Sequence, residues 1–288
     1  MNEFKLAFNV NNLEFIKAIT EAADELGVPI ILQASKGAIR YMGLPYIVAL
    51  INSARSQVKV PITLHLDHGA NFEICKECID AGFDSVMIDG SDLPLNENIA
   101  LTKKVCEYAH LKGVKVEGEL GAIDGIEDEK SGSLNYTDPA EVLKFANETR
   151  VDSLAVSIGT VHGAFKYKTE NPELRLDILK KINELVPDLP LVLHGASSVL
   201  QNEIAIINAN GGEIKGALGI SEEKLAETKK FGVKKINIDS DLRLAFTAGV
   251  REYISANPSE FDPRKYLGAG MARVKAVVKN KIKIFYGV

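Results

Sequence analysis

The chain has 288 residues, of which 46% are hydrophobic and 25% charged, and its mean hydropathy is close to zero, the profile of a globular protein with ample material for a core. A formal net charge of −5 without a long basic run argues against nucleic acid or an anionic membrane as a partner, so any bound anion must be caught by a local site. The start MNEFKLAFNV lacks the basic segment and long apolar run of a signal peptide, no apolar run approaches the ~18 residues that span a membrane, and three sparse cysteines fit a reducing cytoplasm.

Short apolar, β-branched runs alternate with amphipathic stretches along the whole chain. The first run, Lys5–Val10, meets Asn11-Asn12, which can cap a helix through Leu26 that Gly27 stops. Strands are predicted at Val28–Gln33 and Pro61–Asp67, a helix over Phe72–Ala81, and further strands at Ser85–Asp89 and Val114–Gly121. A polar, glycine-containing loop, Ala122–Asp138, leads to the capping sequence Thr137-Asp138-Pro139 and a helix over Ala140–Thr149. The strands Ser153–Gly159 and Leu189–Gly195 follow, then a second long loop over Asn208–Ile220, a helix Leu225–Phe231 capped from Ser221, and the strand Lys234–Asp239. Beyond Glu260 the pattern is an additional helical tail.

Eight buried strands alternating with helices imply a parallel sheet, and eight is the number that closes a (β/α)8 TIM barrel with extra C-terminal helices, a single domain over 1–288. An open doubly wound sheet would carry a glycine-rich turn after the first strand, where Asn9-Val10-Asn11-Asn12 stands instead. Cys75 and Cys78 form a C-x-x-C, but they fall on a helix, Cys106 falls on another, and no second C-x-x-C completes a tetrahedral site. They are expected to be structural.

Polar residues gather at the strand ends. Asp67-His68 end the third strand, Asp89 ends the fourth, Glu119 lies near the end of the fifth, His162 just past the sixth, His194 at the end of the seventh, and Asn237 and Asp239 at the end of the eighth. In a barrel these ends converge on the face where active sites are built. Three of the five histidines occupy this face, and three neutral imidazoles with an open position make the ligand set of a catalytic zinc. His68, His162 and His194 each precede a glycine, namely Gly69, Gly163 and Gly195. On an ideal strand His65 shares a face with Asp67 while His68 points away, so His68 is a ligand only if alternation breaks there. His65 is then a packing residue or one behind the ligands, and His110 a surface residue. Small residues in Gly195-Ala196-Ser197-Ser198 and Asn237-Ile238-Asp239-Ser240, after strands seven and eight, suggest a phosphate site, although an ordinary helix cap at Ser240 also explains the second.

The segments TLHLDHGANFEICKECIDAGFDSVMIDGS, VEGELG followed by GIED, SIGTVHGAFK, LVLHGAS and KINIDSDLR, with AFNVNNLE before them and DPRKYLG after, resemble the class II, zinc-dependent fructose-1,6-bisphosphate aldolases and their tagatose-bisphosphate relatives. The resemblance runs in order over nearly the whole chain. It implies that His68, His162 and His194 bind zinc, that Asp89 and Glu119 form a second or alternative metal position, and that Asp67 acts on the substrate hydroxyl whose deprotonation starts carbon–carbon cleavage. It assigns a second acid/base role to Glu127 on the long loop, with Asp128 beside it. For the triose phosphate end it picks out Gly163, Gly195, Ala196, Ser197, Asn237, Ile238, Asp239 and Ser240, with Lys166 nearby. For the rest of the substrate it suggests Asn9, Ser35, Arg243 and, from a partner subunit, Arg264. A homodimer or homotetramer and a monovalent cation, Na+ or K+, are further family expectations.

Two positions depart from the family: Asp124 and Gly118 stand where relatives usually have Gly and Ala. Among the alternatives, a tagatose-bisphosphate aldolase differs only in substrate stereochemistry, and the DSDLR segment is more similar to the fructose enzymes. A Schiff-base aldolase needs a buried lysine on a barrel strand, whereas Lys5, Lys115, Lys234 and Lys235 lie at strand starts. A non-catalytic sugar-phosphate sensor is expected to have lost Asp67 or a zinc histidine.

Overall fold

A computed structural model describes residues 3–127, 130–132, 135–165 and 172–288. The eight apolar runs are strands: β1 (Lys5–Asn9), β2 (Ile30–Ser35), β3 (Ile62–Gly69), β4 (Ser85–Ile88), β5 (Lys115–Leu120), β6 (Ser153–Val156), β7 (Leu191–Leu193) and β8 (Val233–Ile238). They pair in parallel in chain order and close into one barrel, with β8 returning to β1 through pairs running from Lys5↔Lys235 to Phe8↔Ile238.

Alternation along each strand separates two interiors. Leu6 and Phe8, Leu64 and Leu66, Val116, Leu154 and Ile236 belong to the large core that includes buried helix residues such as Ile16, Cys78, Phe145 and Val278. Burying each Leu or Ile side chain there contributes roughly 1.5–3 kcal/mol. Inside the barrel the apolar content is small, a cluster of Met87, Ala155 and Val192. Apart from Ala7 and Ile31 low in the barrel, many of the other inward positions are polar, and they make the site.

The caps read from sequence are present. Asn12 accepts the Phe15 N–H at 3.0 Å and Gly27 ends that helix in the left-handed region at φ 67°. Asp138 accepts the Ala140 N–H at 2.9 Å ahead of the helix Pro139–Thr149. Ser221 caps a helix that is one turn earlier than expected, Glu222–Glu227, which continues as a 3-10 turn to Phe231. Ser240 is the first residue of the helix Ser240–Ala256 and not its cap. The tail is a 24-residue helix, Pro263–Tyr286. It crosses Ser240–Ala256 closely because Gly249 lies against it: a Cβ there would stand 2.7 Å from the Ala269 carbonyl oxygen and 2.9 Å from the Gly270 Cα. No helix among the described residues is long and apolar enough to cross a membrane.

Both long loops contain strand pairing or side-chain bonds among their described residues. Asp124–Glu127 pairs antiparallel with Lys130–Gly132, and Asp124 and Gly125 pair in parallel with Val161 and His162. In the second, the Asn208 side chain bonds the Ile214 N–H and C=O at 2.7 and 2.8 Å, and Gly219 sits so tightly on Ser197–Ser198 that a Cβ has no room.

Candidate active site

His68 faces the barrel mouth because the strand breaks its alternation at that residue. Its φ is +49°, and the β3–β4 register shifts between Leu66 and Gly69. A non-glycine residue in this region costs on the order of 1–3 kcal/mol and persists where its surroundings over-determine it. The break leaves Asp67 inward and turns the next side chain back toward His194.

The nitrogens of His68, His162 and His194 lie within 4.8 Å of one another. His68 Nδ1 is 3.1 Å from Asp89 Oδ2, and His194 Nε2 is 2.8 Å from Glu117 Oε1. A carboxylate only accepts, so each of these ring nitrogens carries the proton. The lone pairs therefore sit on His68 Nε2 and His194 Nδ1, which face each other at 2.8 Å. Two opposed lone pairs repel unless an electrophile lies between them. Burial and the His68 ring hold the His194 pKa at about 4 against the pull of Glu117, so His194 is a neutral ligand at pH 7. The donor set fits a divalent metal with an open position, each of these two imidazoles being oriented by a carboxylate. His68, Asp89 and Glu119 form a second group whose ligand atoms also lie within 4.8 Å; Asp89 in addition accepts from Ser91 Oγ at 2.7 Å.

Beneath the histidines lies a polar column of which sequence reasoning had placed only His65, as a packing residue or one behind the ligands. Lys235 Nζ donates to Glu117 Oε2 at 2.8 Å and meets His65 Nε2 at 3.0 Å, and His65 Nδ1 meets Ser85 Oγ at 2.8 Å. Glu117, Lys235 and His65 are each at most 2% exposed. Burial alone raises a carboxyl pKa, but Lys235 and the His194 and His65 rings hold Glu117 well below the ordinary range. Burial and Lys235 keep His65 well below its own. The column borders a cavity of about 510 Å³ at the opposite mouth, lined also by Lys5, Thr63 and Lys115. Lys235 is thus a buried barrel lysine, yet it is ion-paired below the metal cluster. Glu117 shares the inward face with Glu119 two residues on, which was the available signal.

Asp67 is 1% exposed and held by three amides. Asn9 Nδ2 and Gln33 Nε2 donate to its Oδ2 at 2.8 and 3.0 Å, and Asn237 Nδ2 donates to its Oδ1 at 3.1 Å. Gln33, at a predicted strand end, was also overlooked. Gln33 Oε1 and Asn237 Oδ1 are buried without a hydrogen-bond partner among the described residues.

The loops after β7 and β8 meet at this mouth. Gly195 has φ +60°, and a Cβ there would stand 2.6 Å from the Val161 carbonyl carbon, so glycine lets the loop close on the His162 segment. Gly163 also has a positive φ, +85°. Ala196 and Ser197 are buried, and Ser197 Oγ accepts the Asp239 N–H at 3.3 Å, joining the loop to the start of the helix Ser240–Ala256. Arg243 is paired with Asp239 at 2.7 Å and lines a cavity of about 520 Å³ with Asn11, Gly37, Ala38 and Arg40. Ser35 caps the next helix by accepting the N–H of Ala38, one of the lining residues, at 3.3 Å. Arg264 is 88% exposed and paired with its neighbour Asp262. The Glu127 side chain, Asp128 and Lys166 lie outside the described residues.

Cys75, Cys78 and Cys106 are buried free thiols, and burial pushes Cys78 and Cys106 up to about 12. Gly118 also has a local reason: Phe145 occupies the space, its Cε1 and Cζ 3.0 Å from where a Cβ would stand.

The model of the class-II fructose-bisphosphate aldolase family matches residues 5–287. The fructose-bisphosphate aldolase of Thermus caldophilus is 47% identical, over 98% of this chain and 92% of the relative, and that of Treponema pallidum 46% identical, over 98% and 90%. Among solved structures, a putative fructose-1,6-biphosphate aldolase from Coccidioides immitis superposes with a TM-score of 0.82 at 28% identity, covering 99% of this chain and 91% of that one. The YdjI aldolase of Escherichia coli K12 gives 0.78 at 28% identity, over 98% and 91%. With its barrel, its imidazole cluster and a match over nearly its full length, the chain belongs to the class II fructose-bisphosphate aldolase family.

Proposed function

We propose that the protein reversibly cleaves fructose 1,6-bisphosphate to dihydroxyacetone phosphate and glyceraldehyde 3-phosphate, with zinc held by His68 Nε2, His162 and His194 Nδ1. The observation that carries this reading is the pair of opposed histidine lone pairs beside a carboxylate held by three amides. When bound, the ion supplies the Lewis acid that a retro-aldol reaction needs next to the ketose carbonyl. Asp67 takes the proton of the C4 hydroxyl; the C4 oxygen then forms the aldehyde carbonyl as the C3–C4 bond breaks toward C2. The amides of Asn9, Gln33 and Asn237 aim the Asp67 oxygens, and the buried Gln33 Oε1 and Asn237 Oδ1 are acceptors suited to a polyhydroxylated substrate.

Carbon C3 must regain a proton before the triose phosphate leaves, and Glu127 is assigned that delivery. The backbone pairing of Asp124–Gly125 with Val161–His162 ties the start of its loop to the His162 segment. Asp89 and Glu119 provide, with His68, an alternative position for the ion. Gly163, Gly195, Ala196, Ser197, Asn237, Ile238, Asp239 and Ser240, with Lys166, surround the triose phosphate, and a monovalent cation, Na+ or K+, is assigned to the same end. Ser35 and Arg243 serve the far phosphate. Arg264, directed to solvent, serves it only from a second copy of the chain, so the proposal includes a homo-oligomer.

Metal analysis and fructose-bisphosphate cleavage before and after chelation, for the wild type and His194→Ala, test the reading. One zinc per chain, loss of activity on chelation and failure of the variant to retain zinc are expected. Preference for tagatose 1,6-bisphosphate, or trapping of a substrate adduct on Lys235 by borohydride, overturns it.

A further inference from the structure

Lys281 is a lysine on the C-terminal helix, far from the metal cluster in sequence, and it is 1% exposed. Its Nζ lies 2.5 Å from Asp241 Oδ2, 2.7 Å from Glu222 Oε1 and 3.1 Å from Ser198 Oγ. These partners come from three separate pieces of chain: the start of the helix Ser240–Ala256, the start of Glu222–Glu227, and the loop after β7. Asp241 is completely buried, and its carboxylate accepts the Ser198 N–H at 2.9 Å and the Val199 N–H at 2.6 Å.

Val199 is where strain enters. It is β-branched, yet its φ is +54°, a conformation that costs a branched residue on the order of 1–3 kcal/mol. Such a residue stays in place only if fixed contacts hold it. Here they are the Asp241 carboxylate on its N–H, the Gln201 amide on its carbonyl at 2.9 Å, and Gly219 packed against Ser197–Ser198 from behind. Asp241 can act only while it remains charged and fixed in a dry position, and a buried carboxylate requires a counter-charge. Lys281 supplies it. Burial opposes the lysine charge, but Asp241 and Glu222 outweigh it and raise its pKa.

We propose that Lys281 is a positioning residue for the phosphate end of the substrate: through Asp241 it holds Gly195–Val199 and the start of the helix Ser240–Ala256 as one rigid anion cradle. This rests on the functional reading above, since it is the triose phosphate that the cradle would receive. It also accounts for the C-terminal helix, which closes the back of the cradle and leaves the imidazole cluster untouched.

The test is direct binding of dihydroxyacetone phosphate to the zinc-loaded protein by calorimetry, with zinc content and steady-state KM and kcat for fructose 1,6-bisphosphate measured alongside. Lys281→Met is expected to weaken dihydroxyacetone phosphate binding at least tenfold and to raise KM similarly, with zinc content at the wild-type level. Glu222→Gln, which leaves the Lys281–Asp241 pair in place, is expected to change either value less than threefold. Because the single variant leaves the Asp241 charge in the interior without the Lys281 ammonium, Lys281→Met/Asp241→Asn, which removes both charges, guards against loss of the fold and is expected to bind as weakly. Wild-type affinity in Lys281→Met or in the double variant overturns the inference alone. A wild-type protein that binds no dihydroxyacetone phosphate overturns both this inference and the functional reading.

Discussion

Glu117→Gln separates the role of the polar column in metal binding from its role in folding. In the native protein the Glu117 carboxylate accepts from His194 Nε2 and Lys235 Nζ, both at 2.8 Å. A glutamine has one acceptor oxygen and one donor group, so it satisfies one of these partners and turns an N–H toward the other. If the oxygen keeps Lys235, the amide N–H faces His194 Nε2 and moves the ring proton to Nδ1, the atom assigned to the metal. Loss of such a carboxylate partner typically weakens metal binding by about 10–100-fold, or roughly 1.4–2.7 kcal/mol. Breaking the buried pair with Lys235 adds a folding cost of about 3 kcal/mol, the low end for such pairs because one hydrogen bond survives. Zinc affinity by chelator competition and stability by urea denaturation read the two effects separately. Glu117→Gln/Lys235→Met leaves the amide oxygen only His194 Nε2 to accept from, so it is expected to regain most of the stability and, with the ring proton back on Nε2, much of the zinc affinity. Zinc held at wild-type affinity by Glu117→Gln refutes the tautomer argument. A double variant that binds zinc as weakly as Glu117→Gln shows instead that the carboxylate charge, and not the ring tautomer, sets the affinity.

Two further outcomes follow from the interior. Gly118→Ala places a methyl 3.0 Å from two Phe145 ring carbons and 3.1 Å from Val151 Cγ1, and is expected to lower stability by about 1–3 kcal/mol. Phe145→Leu in the same chain is expected to reduce the loss, and an unchanged urea midpoint for Gly118→Ala contradicts the packing argument. The metal-free protein is expected to lose stability as pH falls from about 6.5 toward about 4. His194 and His65 have folded-state pKa values depressed below the ordinary 6.5, so in that window the unfolded chain binds protons that the folded chain does not. The slope is about 1.4 kcal/mol per pH unit for each proton, and chelator-treated protein with the same urea midpoint at pH 7 and pH 5 rules it out.

How far the site was legible depends on which rule each residue obeys. Asp67, Asp89, Glu119, His194 and Asn237 are polar residues at the ends of buried runs, and in a closed parallel barrel such positions converge whatever the details of packing. The same rule reaches Gln33 when it is applied to the second strand. Glu117 and Lys235 lie deeper, in the middle of β5 and early in β8, where a charge in a sequence reads as an exposed strand start. Only the curvature of the barrel brings them within 2.8 Å of each other.

His68 shows the limit most clearly. Its residue type and its place after Asp67 identify it as a candidate ligand, but period-two alternation points it away from the site. The decision belongs to one backbone dihedral and a register shift between β3 and β4, which are set by strand pairing and by the partners around the ring. Lys281 is a second case: at helical spacing it is one more lysine of a basic tail, and its burial exists only because three distant carboxylate and hydroxyl groups surround it. Sequence by itself determined the barrel, most of its caps and the candidate ligands, because periodicity and capping are local and strand ends converge by topology. Tertiary structure alone decided the His68 turn, the Glu117–Lys235 pair and the Lys281 anchor, because a buried charge or a strained φ is stable only when the rest of the fold has placed its partners.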